Sequence, residues 1–86
     1  MKNYTKAVEI AMTKVNHIEF VRDFFEDVYN CMTNYEKNVS ADWDIDTCVA
    51  FIVDYANYRF SNIGADSFTK IENNMNYIKL YHSYFK

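Results

Sequence analysis

Proline is absent from this 86-residue chain, and glycine occurs once, at Gly64. Small sheet proteins need several tight turns, and such turns usually take Gly or Pro. Their scarcity excludes a sheet-rich fold and argues for helices joined by short polar links. Leucine also occurs only once, at Leu80. The core must therefore be built from Phe, Tyr, Ile, Val and Met. Basic residues are few: nine Lys and Arg against twelve Asp and Glu, for a net charge of −3. No clustered basic surface is available to bind phosphates, so long nucleic acid is not an expected partner. No apolar run approaches the roughly 18–20 residues of a membrane span. Polar residues interrupt every apolar stretch from Met1 to Val15, so no export signal is expected there. Cys31 and Cys48 then read as reduced thiols in a cytoplasm, packed as small hydrophobes.

What the chain does have is apolar and aromatic mass. Half its residues are hydrophobic and 19% are aromatic, a composition that folds. Eighty-six residues make one domain, 1–86. A chain this short buries only roughly 60% of the surface that its unfolded form exposes. Phe, Tyr, Met, Ile, Asn and Lys together account for 43 of the 86 residues. These types have the most A/T-rich codons, which points to a low-GC genome of a bacterium, phage or plasmid.

Hydrophobic periodicity predicts an all-α fold, a compact bundle of three to four antiparallel helices. The first helix is expected over Tyr4–Val15, with Val8, Ala11, Met12 and Val15 on one face. Val8, Ile10 and Met12 also alternate as in a strand. A second, long helix is expected over His17–Lys37, capped by Asn16 with Glu19 three residues on. Its buried stripe reads Ile18, Val21, Phe25, Val28, Met32 and Tyr35. A third is expected over Ala41–Ile63, capped by Ser40, with Ile45, Val49, Ile52, Ala56, Phe60 and Ile63 facing inward. Trp43, Cys48 and Val53 lie alongside. Gly64 then supplies a left-handed stop. Asp66 or Ser67 caps the fourth helix, which runs nearly to Lys86.

That last helix carries two apolar faces. Phe68, Ile71, Met75, Ile78, His82 and Phe85 alternate at three and four residues, the repeat of helix-on-helix packing. Tyr77, Leu80, Tyr81 and Tyr84 form a second stripe. One stripe can face the chain's own core, and the other then calls for a second surface, a copy of the chain or another protein.

Residue patterns that carry chemistry are scarce. Asp42, Asp44 and Asp46 do not make a calcium loop, because the sixth and twelfth positions are Thr47 and Val53 rather than Gly and Glu. They read as acidic residues favoured at a helix start. His17, His82, Cys31 and Cys48 lack the spacing of a zinc site. No metal, cofactor or catalytic residue is expected, and the chain reads as a non-enzyme. An acidic face on the second helix gathers Glu19, Asp23, Glu26 and Asp27, with Arg22 nearby. Tyrosines outnumber what so small a body can bury, and tyrosine is enriched at interface hot spots. Tyr55, Tyr58, Arg59, Tyr77, Tyr81 and Tyr84 are the candidate contact patch.

These features lead to a non-catalytic protein-binding module, its partner a host protein or a second copy of itself in a homodimer. Size and low-GC composition suit a phage- or mobile-element-encoded inhibitor of a host protein, for example an anti-CRISPR or other anti-defence factor in a bacterial cytoplasm. Two other readings stand beside it. One is a helical homo-oligomer holding a small ligand such as a nucleotide between helices. The other is an acidic mimic of nucleic acid, built on Glu19, Asp23, Glu26 and Asp27.

Overall fold

A computed structural model describes residues 3–86. The first two residues of the expected 1–86 domain lie outside the described residues. The described residues form five α-helices: α1 (Tyr4–Met12), α2 (Ile18–Asp27), α3 (Asn34–Ala41), α4 (Ile45–Ser61) and α5 (Ser67–Ser83). A single 3-10 turn, Tyr29–Cys31, links α2 to α3. No strand is present among the described residues, so the alternation of Val8, Ile10 and Met12 is not used as one.

The fold is all-helical as expected, but it has five helices rather than three or four. The long second helix is broken. Helix α2 ends at Asp27, the 3-10 turn follows, Met32 is extended, and Thr33 caps the start of α3. Thr33 and Glu36 form a capping box: the Thr33 hydroxyl accepts from the Glu36 amide at 3.1 Å, and Glu36 accepts from the Thr33 amide at 2.9 Å. Those two bonds satisfy amides that a new helix start would otherwise orphan. Tyr29, Asn30 and Cys31 are all mediocre helix formers, so little resists the break.

Other boundaries shift for similar reasons. His17, not Asn16, precedes α2, and its side chain makes no cap hydrogen bond. Ser40 lies inside α3, fully buried, and donates to the Lys37 carbonyl at 3.1 Å. Asp44 caps α4 instead, accepting from the Thr47 amide at 2.8 Å. Asp66 caps α5, accepting from the Thr69 amide at 2.7 Å. Gly64 has a φ of +71°, the left-handed geometry that turns the chain from α4 to α5.

Helix α4 is the centre of the molecule. Helices α1 and α2 pack on one side of it and α5 on another. It is therefore buried around more than one face, through Cys48, Val49, Phe51, Ile52, Tyr55 and Ala56. Phe24 and Val21 of α2 and Ala7 and Ala11 of α1 complete this core. Four inward assignments change. Phe24 is fully buried and Phe25 is not; Tyr35 is exposed; and Phe60 and Ile63 lie exposed at the far end of α4. Cys48 is buried as expected, whereas Cys31 is exposed.

Phe24→Ala is expected to cost about 3–5 kcal/mol, because its ring meets Phe51 and Tyr55 edge-on inside the core. Phe25→Ala should cost clearly less. Urea unfolding followed by circular dichroism compares the two, and equal losses would contradict the assignment. Thr33→Ala should cost about 0.5–2 kcal/mol through the lost cap.

Candidate functional site

Helix α5 docks on α4 antiparallel, and it docks through tyrosines. Tyr77 stacks on Tyr58 with ring centroids 4.3 Å apart and planes 7° from parallel. Tyr81 and Tyr84 meet Phe51 at 5.5 and 4.8 Å. Phe85 closes the end of the helix against Trp43 at 5.1 Å and Phe51 at 5.8 Å. Among the described residues the Tyr84 and Tyr58 hydroxyls reach polar partners at the rim, and that of Tyr77 does not. Tyr84 donates to Asp54 and Tyr58 donates to Asn74. The Tyr81 hydroxyl lies close to Glu36 of α3.

The tyrosines expected in an outward contact patch are thus on the packed face of α5. The tyrosine face is turned inward, and the Phe68, Ile71, Met75 and Ile78 face is turned out. Their exposures are 86%, 59%, 55% and 46%. The physical reason is the partner surface. The side of α4 that receives α5 carries Asp54 beside Phe51 and Tyr58. Rings tipped with hydroxyls can cover those rings and still donate to the carboxylate. Ile and Met would cover it with no donor.

The expected contact patch is therefore gathered in one place, but little of it projects. Tyr55 is buried, and Tyr58, Arg59, Tyr77, Tyr81 and Tyr84 are half-buried. All but Tyr84 line the floor and one wall of a groove of about 720 Å³ between α2 with its 3-10 turn and α5. Within it, Asp27 accepts from both the Tyr55 hydroxyl and the Arg59 guanidinium. Arg59 also lies over the Phe20 ring at 4.9 Å. Cys31 and His82 line the same groove, with no hydrogen bond between them. No group of three His, Cys, Asp or Glu among the described residues could hold a metal ion.

The acidic row is divided by the same contacts. Glu19, Asp23 and Glu26 are exposed along α2. Glu19 lies 3.6 Å from His17. Asp27 is committed to Tyr55 and Arg59, so three carboxylates rather than four remain for any basic partner.

Burial is the first cause of a raised pKa at five tyrosines, Tyr4 among them. At Tyr55 the bond to Asp27 adds to it, at Tyr81 the neighbouring Glu36, and at Tyr84 the bond to Asp54. At Tyr77 the neighbouring tyrosines add to it. The Tyr77 hydroxyl is buried without a hydrogen-bond partner. Cys48 is likewise raised by burial.

No protein-family model matches this chain, and comparison with curated proteins and with solved structures found no match. No helix among the described residues is long and apolar enough to cross a membrane.

The outward stripe of α5 is the feature that sequence reading misplaced. Its spacing was visible in the sequence. The signal that could have turned it outward was the tyrosine face, whose hydroxyls match Asp54 and Glu36.

The four tyrosines packed between α4 and its neighbours, raised most, set an alkaline limit on the fold. A group whose folded pKa is raised contributes stability below its ordinary value, here 10.0, and loses it as pH rises through the folded value. Ultraviolet titration should therefore show Tyr55, Tyr77, Tyr81 and Tyr84 ionising late, together with loss of helicity. Smooth ionisation of all eight tyrosines near pH 10, in one step with helicity intact, would contradict this packing.

Proposed function

We propose that this chain is a non-catalytic protein-binding module whose contact surface is the outward face of α5. One observation carries the reading: Phe68, Ile71, Met75 and Ile78 stand in a row at helix-packing spacing and are all substantially exposed. Scattered apolar side chains on a surface need no explanation, but a contiguous apolar stripe on a folded chain marks an interaction site. The tyrosines of the groove support this surface from behind by fixing α5 on α4. The narrower role of a phage-borne inhibitor of a host protein rests on composition alone.

The groove favours a second reading, a small ligand held between helices. It brings Arg59, Asn74 and several aromatic rings around one opening. Against it, the guanidinium is already engaged by Asp27 and Tyr55.

A photo-crosslinking amino acid at position 71 tests the main reading in cells. Irradiation is expected to give a discrete adduct of defined mass, and the same residue at the exposed α1 position 6 should give none. No adduct from position 71 would remove the contact surface. Thermal-shift measurement with nucleotides tests the second reading, which predicts a raised melting temperature that is lost in Arg59→Ala.

A further inference from the structure

The partner of the α5 face has a chemistry that the flanks of the stripe disclose. Resting on the binding-module reading above, we propose that a second copy of this chain covers that face, its α5 running antiparallel, in a two-fold homodimer.

Phe68, Ile71, Met75, Ile78 and His82 alternate at three and four residues, the seam along which two helices pack side by side. Glu72 and Lys79 stand one heptad apart, so both flank that seam on the same side. The other flank carries Asn74 and then Tyr81. In a parallel pair each flank meets the opposite flank of its neighbour. Glu72 and Lys79 would then face Asn74 and Tyr81, and no charge would find its opposite. In an antiparallel pair like flanks meet. With Met75 of one copy facing Ile78 of the other, Glu72 faces the second copy's Lys79, and symmetry repeats the pair.

The charges also choose the register. Sliding one helix by a heptad, so that Ile71 faces Met75, sets the two Glu72 side chains beside each other. Like charges held together in that way oppose the arrangement. In this register Met75 and Ile78 face each other twice, Ile71 faces the second copy's His82, and two matched ion pairs flank them.

The area is adequate. At the observed exposures the four apolar side chains leave on the order of 500 Å² uncovered on one copy, near the upper end for a monomer's largest patch. Full coverage on both copies would remove at most about 1,000 Å², the size at which a specific interface begins, with Phe68 contributing from the end of the pair. Helix α5 is seventeen residues long, about 25 Å, so one such pair uses most of its length. Tyr77, Tyr81, Tyr84 and Phe85 hold it against its own body from the other side, so the seam is presented on a fixed helix.

Sedimentation equilibrium of the full chain over a wide concentration range tests the proposal. The expected result is twice the chain mass of 10.3 kDa. Met75→Asp should give a monomer with unchanged helicity, since the side chain is outside the core. Glu72→Lys and Lys79→Glu should each weaken the dimer about tenfold, and the two together should restore it. A monomer at every concentration overturns the proposal, as does a dimer indifferent to Met75→Asp. A double charge exchange that fails to restore association also overturns it. The parent reading is separable: a monomer that crosslinks from position 71 to a different protein keeps the module and removes the second copy. A monomer with no crosslink removes both.

Discussion

Phe51 is the contact on which the arrangement of this molecule depends. Its ring is 1% exposed and lies in the middle of α4. It meets Phe24 edge-on at 5.5 Å, Trp43 at 5.0 Å, and Tyr81, Tyr84 and Phe85 within 5.8 Å. One side chain thus joins α2, the entry to α4 and the last helix. In a chain with a single leucine, aromatic rings do the work that aliphatic interdigitation does in most helical bundles. Ring pairs at these distances add to the burial of their area. The edge-on geometry at Phe24 and Tyr84 also restricts how the neighbouring helices can rotate.

The second constraint is polar. Helix α4 carries Asp54 and Arg59 close to its aromatic face, and half-buried charges need partners. Tyrosine meets both demands, with a ring for the apolar surface and a hydroxyl for the carboxylate. Tyr84 on Asp54, Tyr81 on Glu36 and Tyr55 on Asp27 are three instances of the same solution. Asp27 is further held by Arg59. This ion pair lies at a surface and contributes little by itself. Its role is to fix the end of α2 where the chain turns into its 3-10 segment.

Once the tyrosine face has been turned inward, the aliphatic face of α5 has nowhere to go but out. Helix α5 packs on α4 and leaves its opposite side to solvent. The exposed seam is thus a consequence of how the interior was completed, and it gives the chain a surface suited to another helix. The groove beside it shares Ile78 and His82 with that seam. A helix laid on α5 would therefore also border the groove and the residues on its floor.

Much of the architecture was legible in the linear pattern. The absence of proline, the single glycine and the three-four spacing of apolar residues call for helices, and Gly64 marks the turn into the last one. Asp66 as its cap follows from local chemistry. The Thr33 and Glu36 capping box was also readable, but the apolar stripe from Ile18 to Tyr35 ran through it and suggested continuity. Phe24 against Phe25 could not be decided locally, because adjacent positions on a helix differ by only a fraction of a turn. What the tertiary structure alone decided was which of two apolar faces of α5 turns inward. Both faces have helical periodicity and enough apolar area, so periodicity cannot choose between them. The choice falls to the surface of α4, whose rings and carboxylate accept tyrosine hydroxyls and offer nothing to isoleucine or methionine.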